Sequence, residues 1–270
     1  MPPKKIILAG GGTGGHIYPA IAIATGLKQK FPYLNILFVG TNRGLEKELV
    51  EKAGFPLKTI RVKGFRRKLS FDTLVSIREL AYGALDSIKI IKKEKPDMVI
   101  GTGGYVAGPV IFFASLMGVR SVIHEQNVCP GVTNRILSHF VDRIAISFSD
   151  SMHCFPKGKT VLTGNPVRKE ITGGNRNEAL KKFGLSPHLP VVLCFGGSQG
   201  AARINDAVLH VIERIRDTKK LQLIHITGKS HYEKIKGILV NKGIDPDGSG
   251  HIIVRPYIYD MQDAYAAADL

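Results

Sequence analysis

The sequence predicts an α/β protein with two domains, each built on a parallel sheet. Three observations lead there. Short apolar, β-branched runs alternate with longer helix-period patterns along the chain. Near-continuous apolar strands joined by helical crossovers indicate sheets covered on both faces. The rhythm breaks once, between Gly164 and Pro190, and a second βα series then begins.

The elements follow in order. Ile6–Ala9 is a strand, and the glycine run Gly10–Gly15 turns it into a helix over His16–Gln29. Ile36–Gly40, Met98–Gly101, Ser121–Ile123, Ile144–Ile146 and Val161–Thr163 are further strands. Leu45–Ala53, Phe71–Glu94, Pro109–Met117 and Val132–Phe140 are the helices between them. The break carries Gly173-Gly174, three prolines and one short helix near Asn177–Phe183, so the boundary falls at 164/165. Beyond it come Val191–Phe195, a helix over Ala201–Arg216, Leu221–Thr227, a helix over Tyr232–Asn241, His251–Val254 and a helix over Met261–Ala268. The expected domains are 1–164 and 165–270. A helix ending in Ala268-Asp269-Leu270 would lead into another strand in a βα series, so the second domain is expected to be incomplete.

Composition excludes several classes. Of 270 residues, 44% are hydrophobic and 22% charged, which is globular rather than disordered or fibrous. Cys129, Cys154 and Cys194 are widely spaced with no CxxC, so neither a disulfide framework nor a zinc site is expected, and a reducing cytoplasmic setting fits. The longest apolar stretch, Val106 to Val119, is broken by Gly108-Pro109 and is short of a spanning helix. The net charge of +16 is uneven: +12 lies in residues 1–164 and +4 in the rest. Lys58 to Lys95 alone carries +7, including Lys63, Arg66, Arg67 and Lys68, and feeds a run with Leu74, Ile77, Leu80, Ala81, Leu85 and Ile88. A basic loop before an amphipathic helix is a membrane-surface signature, and a solvated basic face over a packed helix is the plainer alternative. Only Phe65 and Phe71 could stack on bases, and no nucleic-acid-binding motif is present, so nucleic acid is not an expected partner.

The chemistry sits in glycine turns. Gly10, Gly12 and Gly15 satisfy GxGxxG between a strand and a helix, where backbone N–H groups and a helix N-terminus favour an anionic ligand. A dinucleotide site asks for an acidic residue at the next strand tip, and that tip reads Gly40-Thr41-Asn42-Arg43. An NADP-dependent oxidoreductase using Arg43 therefore stays open as the alternative. Similar turns follow other strands at Gly101–Tyr105, Gly164-Asn165-Pro166 and Gly196–Gly200. In open α/β sheets ligands bind at the carboxyl ends of strands, so loops at that edge of both domains point to a cleft between them and a large phosphorylated ligand. His16 opens a helix beside five glycines, where partial positive charge favours a neutral imidazole able to accept a hydroxyl proton. His124-Glu125-Gln126-Asn127 is a polar cluster at a strand end, read either as a capped solvated loop or as substrate contact.

GGGTGGHIYPA, GTGGYVAGP, HEQN, TGNPVR, FGGSQGA and YIYDMQDAYAAAD occur in this order across essentially the whole chain. Together they closely resemble the MurG family, the undecaprenyl-diphospho-muramoylpentapeptide β-N-acetylglucosaminyltransferases of peptidoglycan synthesis. The resemblance implies a GT-B-like fold of two Rossmann-like domains facing a cleft, with the first addressing acceptor and membrane and the second UDP-GlcNAc. It implies transfer of GlcNAc from UDP-GlcNAc to the muramoyl 4-hydroxyl of lipid I, giving lipid II with inversion. It implies no cofactor, no metal at the reacting centre, and peripheral attachment to anionic lipid on the cytoplasmic face of the inner membrane.

By the same resemblance Thr13, Gly14, Gly15, Asn127, Arg168, Ser198 and Ile258 are donor-binding positions. Gly103, Gly104 and Tyr105 line the acceptor side, and His16 or Glu125 is the base. The family's second domain continues past Leu270 with further donor-site loops, so the chain as it stands is expected to have little or no transferase activity.

Overall fold

The structure, a computed structural model, describes residues 3–42, 46–62, 71–197, 200–218, 220–246 and 250–270; the side chains of 71–77, 170 and 172 are left undescribed. Arg43, Ser198 and the basic residues Lys63, Arg66, Arg67 and Lys68 fall outside it. The chain divides into two compact units, Met1–Arg168 and Lys169–Leu270.

In the first unit β1 (Lys5–Gly10), α1 (Gly14–Lys30), β2 (Asn35–Gly40), α2 (Glu46–Lys52) and β3 (Leu57–Thr59) come first. They are followed by α3 (Phe71–Glu94), β4 (Met98–Gly103), α4 (Gly104–Leu116), β5 (Arg120–Glu125), α5 (Val132–Leu137), β6 (Arg143–Ile146) and β7 (Thr160–Leu162). The strands form one parallel sheet in the order β3-β2-β1-β4-β5-β6-β7. The order reverses between β1 and β4, and their register shifts there so that Gly10 pairs with Gly103. Such a switch point opens a crevice at the carboxyl ends of the two strands.

Period-two alternation explains the double winding. Ile6, Leu8, Ile36 and Phe38 point to one face and bury against Ile17, Ala20, Ile21 and Ala24 of α1 and Leu49 and Val50 of α2. Ile7, Ala9, Leu37, Val39 and Val99 point to the other and bury against Ile91 of α3 and Val106, Val110, Ile111 and Ala114 of α4. Each fully buried Ile or Leu contributes about 1.5–3 kcal/mol of transfer free energy, and sliding a strand by one residue would exchange its two buried sets and mispack both layers.

The second unit holds α6 (Arg176–Phe183), β8 (Val191–Phe195), α7 (Ala202–Ile215), β9 (Gln222–Ile226), α8 (Tyr232–Asn241), β10 (Ile252–Arg255) and α9 (Met261–Ala267). Among the described residues its sheet is parallel with order β10-β9-β8. Val208 and Ile212 of α7 and Ile235 and Leu239 of α8 cover one face, and Ala179 and Leu180 of α6 with Ala267 of α9 cover the other.

Two sequence expectations need correction. The three-residue strand β3 was not foreseen: its side chains are half-buried and show no apolar run. The helix expected from Pro109 begins five residues earlier, because Gly103 at φ +101° and Gly104 at φ +78° turn the chain directly out of β4. The first compact unit runs through Arg168. A His124–Gly164 hydrogen bond and the stacking of Arg168 on Tyr18 tie those residues to it.

His225 sits fully buried on the central strand β9. Its Nδ1 lies 3.0 Å from the Cys194 carbonyl, which can only accept, and its Nε2 is buried without a partner among the described residues. Burial pushes its pKa down, opposed by the Cys194 hydrogen bond. The folded chain keeps this ring neutral while the unfolded chain protonates below about pH 6.5, so stability falls as pH drops through that value. Thermal unfolding from pH 8 to pH 5 is expected to show this acid limb, and His225→Gln is expected to flatten it by at most about 1.4 kcal/mol per pH unit.

Candidate active site

Two glycine turns meet at the switch point of the first unit. A Cβ on Gly104 would lie 2.1 Å from the carbonyl oxygen of Gly11, and one on Gly10 would lie 2.0 Å from Oγ1 of Thr102. Gly12, at φ +88°, lies under the ring of Tyr105, where a Cβ would come within 2.9 Å of Cε1. These contacts explain why glycine recurs: no larger residue lets the ends of β1 and β4 approach so closely.

His16 is seated by the same contacts. Thr13 is the N-cap of α1, and its carbonyl accepts from the N–H groups of His16 and Ile17. The Thr102 hydroxyl donates to the His16 carbonyl at 2.7 Å. The imidazole is half-buried, lying against Gly103 and Gly104 rather than standing uncovered. Its Nδ1 is 3.0 Å from the Thr102 carbonyl and 3.3 Å from Oε1 of Gln126. Both partners only accept, so the neutral ring carries its proton on Nδ1 and Nε2 keeps a bare lone pair.

Glu125 has a different job from the one expected of a base. It is 1% exposed. Its Oε1 accepts from the N–H and Nδ2 of Asn127, and its Oε2 accepts from the N–H of Gly131 and Nδ2 of Asn134, all between 2.9 and 3.1 Å. Four donors fill the four lone-pair sites of a carboxylate. Glu125 thus clamps the loop after β5 and positions Asn127, which is exposed at its rim.

Glu46, which the sequence reading missed, is the matching clamp on the first loop. It is fully buried and accepts from the N–H of Gly12 at 2.8 Å. That N–H is one a dinucleotide's pyrophosphate would need, and a carboxylate stands behind it. Burial first, then the Glu46 charge, push the Tyr105 hydroxyl pKa upward, so this phenol stays a donor. Arg168 is half-buried with its guanidinium carbon 4.4 Å from the centre of the Tyr18 ring. Its Nε is buried without a partner among the described residues. Thr13 and Gly15 are exposed on the first loop and Gly14 is buried beneath them.

In the second unit the segments after β8 and β10 carry the remaining expected positions, Ser198 and Ile258. Gly200, at φ +74°, packs where a Cβ would meet the Thr227 carbonyl at 2.0 Å, so no larger residue fits there; Ser198 lies outside the described residues. Ile258 packs against the core beneath α6 and α9. The rings of Tyr257 and Tyr259 on either side of it lie 4.8 Å apart, with the Lys229 ammonium over both. Lys229 and the two tyrosines went unremarked in the sequence, although Tyr-Ile-Tyr after an apolar strand was visible.

Two parallel α/β units with glycine turns at their strand ends define a nucleotide-binding class of α/β protein. Models of the glycosyltransferase family 28 N-terminal and C-terminal domains match residues 6–146 and 191–270. The chain belongs to glycosyltransferase family 28. It is 51% identical over 267 residues to the UDP-N-acetylglucosamine--N-acetylmuramyl-(pentapeptide) pyrophosphoryl-undecaprenol N-acetylglucosamine transferase of Acetivibrio thermocellus, covering 98% of this chain and 71% of that protein. The enzyme of the same name from Clostridioides difficile is 48% identical, covering 98% and 64%. The crystal structure of Acinetobacter baumannii MurG matches with a TM-score of 0.62 and 27% identity over 99% of this chain and 70% of that one. The oxidoreductase alternative finds no support in these comparisons.

Glu125→Gln is expected to cost on the order of 2–3 kcal/mol in denaturant unfolding, because an amide NH2 would face two of the four buried donors. A Glu125 acting only as a base would instead leave stability unchanged.

Proposed function

We propose that this glycosyltransferase moves GlcNAc from UDP-GlcNAc to the muramoyl 4-hydroxyl of lipid I, forming lipid II with inversion. The observation that carries the reading is the bare Nε2 of His16 at the switch point, in a chain half identical to transferases so named. Nε2 takes the proton of the 4-hydroxyl as its oxygen bonds to C1 of GlcNAc. The bond from C1 to the diphosphate oxygen breaks on the opposite face, and UDP leaves with the electron pair. Gly103, Gly104 and Tyr105 border the acceptor side of this ring. Asn127 and Arg168 are assigned to the donor, the latter because its planar fork suits a diphosphate and its Nε has no partner among the described residues. Thr13, Gly14, Gly15, Ser198 and Ile258 complete the donor contacts by resemblance. Domain 1–164 is read as the acceptor domain and 165–270 as the donor domain.

His16→Ala in the full-length protein, supplied with UDP-GlcNAc and a short-chain lipid I analogue, is expected to lower kcat about 10²-fold or more with little change in donor KM. Unchanged turnover would remove His16 from this role.

Peripheral attachment to an anionic membrane belongs to the same reading. No described helix is long and apolar enough to cross a membrane. Val110, Ile111 and Ala114 of the apolar stretch are core residues, yet Leu116 and Met117 at its end are exposed. So are Val132, Ile136 and Phe140 around α5, which packs on α4 through a Phe112–Phe140 ring contact of 4.9 Å. Exposed apolar groups within residues 1–164, which carry +12, suit a lipid surface. The double variant Val132→Asp, Ile136→Asp is expected to reduce co-sedimentation with anionic vesicles severalfold at unchanged melting temperature; equal sedimentation would remove this face from the reading.

A further inference from the structure

The carboxamide of Gln126 stands between two histidines. Its Nε2 faces the Thr102 carbonyl at 2.9 Å, Nδ1 of His124 at 3.0 Å and the His124 carbonyl at 3.1 Å. Reversed, the amide would aim its oxygen at two carbonyl oxygens, so only one orientation is favourable. That orientation turns Oε1 toward Nδ1 of His16. On the far side, Nε2 of His124 lies 3.0 Å from the Gly164 carbonyl and must be its protonated nitrogen, which leaves Nδ1 to accept from Gln126. His124 is 2% exposed, and burial pushes its pKa down, so the ring stays neutral.

Every hydrogen bond in this row points the same way. The Gly164 carbonyl selects the tautomer of His124, His124 selects the face of the Gln126 amide, and Gln126 with Thr102 selects the nitrogen of His16 that holds the proton. We propose that Gln126, backed by His124, is a positioning residue that sets the His16 proton on Nδ1 and keeps Nε2 bare. The row ends at Gly164, four residues before Arg168, so it also joins the ring of His16 to the segment carrying that guanidinium. The catalytic consequence rests on the reading of His16 as base, whereas the tautomer itself does not.

The test is a long-range 1H–15N correlation spectrum of the histidine-labelled 270-residue chain at about pH 8, where neutral rings predominate. His16 is assigned by the signals lost in His16→Gln. The wild-type chain is expected to show His16 protonated at Nδ1. Gln126→Leu leaves the Thr102 carbonyl, 3.0 Å away, as the remaining acceptor beside Nδ1 and is expected to give a mixture in which the Nε2–H form that free imidazole side chains favour becomes measurable. Gln126→Met likewise removes the acceptor and is expected to give the same change; it decides the matter if the leucine variant does not fold. His16 protonated at Nε2 in the wild type, or unchanged in a folded Gln126→Leu or Gln126→Met, overturns the proposal. In the full-length protein Gln126→Leu is expected to lower kcat at least about tenfold while donor KM moves less than about twofold. Absence of turnover in the wild-type protein would overturn the transferase reading and leave the tautomer result standing.

Discussion

The first unit depends on a close backbone approach: the turns after β1 and β4 touch at Gly104 and the Gly11 carbonyl, where no side chain fits. Parallel strands at a switch point have their crossovers on opposite faces, so the crevice between them is open by topology. Glycines narrow it until an imidazole can lie across the second turn and hydrogen-bond to the strand's own carbonyl at Thr102. The seat of His16, the orientation of Tyr105 and the early start of α4 all follow from that approach.

Two buried carboxylates hold the rims of the crevice. Glu46 takes an N–H of the first turn and Glu125 takes four donors of the loop after β5. A buried carboxylate is tolerable when hydrogen bonds replace its hydration; backbone and amide N–H groups do so in full at Glu125, whereas at Glu46 one oxygen takes the Gly12 N–H and Oε2 has no partner among the described residues. With the acidic groups spent inside, what faces outward is neutral or cationic: an imidazole, a phenol, an exposed asparagine and a guanidinium stacked on Tyr18. That balance suits a diphosphate-bearing donor and an acceptor hydroxyl.

Much of the architecture was legible because helix and strand periods are local. Phe71–Glu94, Val191–Phe195 and Tyr232–Asn241 have the same bounds in the sequence reading and in the structure. The glycine turns were legible as ligand loops, and the motif resemblance named the family that the comparisons then showed. The division of labour within HEQN was not legible. Glu125 and Gln126 are adjacent polar residues, and alternation along β5 sends one side chain inward to saturate a clamp and leaves the next beside His16. Glu46 was invisible for the same reason, since a glutamate opening a short helix reads as a surface residue until its helix is packed beneath a glycine turn.

The sequence by itself determined the α/β class, the strand and helix register and the set of residue types available for chemistry, because these depend on neighbours a few positions apart. Only the tertiary structure decided which nitrogen of His16 is bare, which carboxylates are consumed as clamps and which amide lines up two histidines. Those outcomes depend on contacts between residues 16, 102, 126 and 164, whose hydrogen-bond directions exist only once the strands carrying them lie side by side.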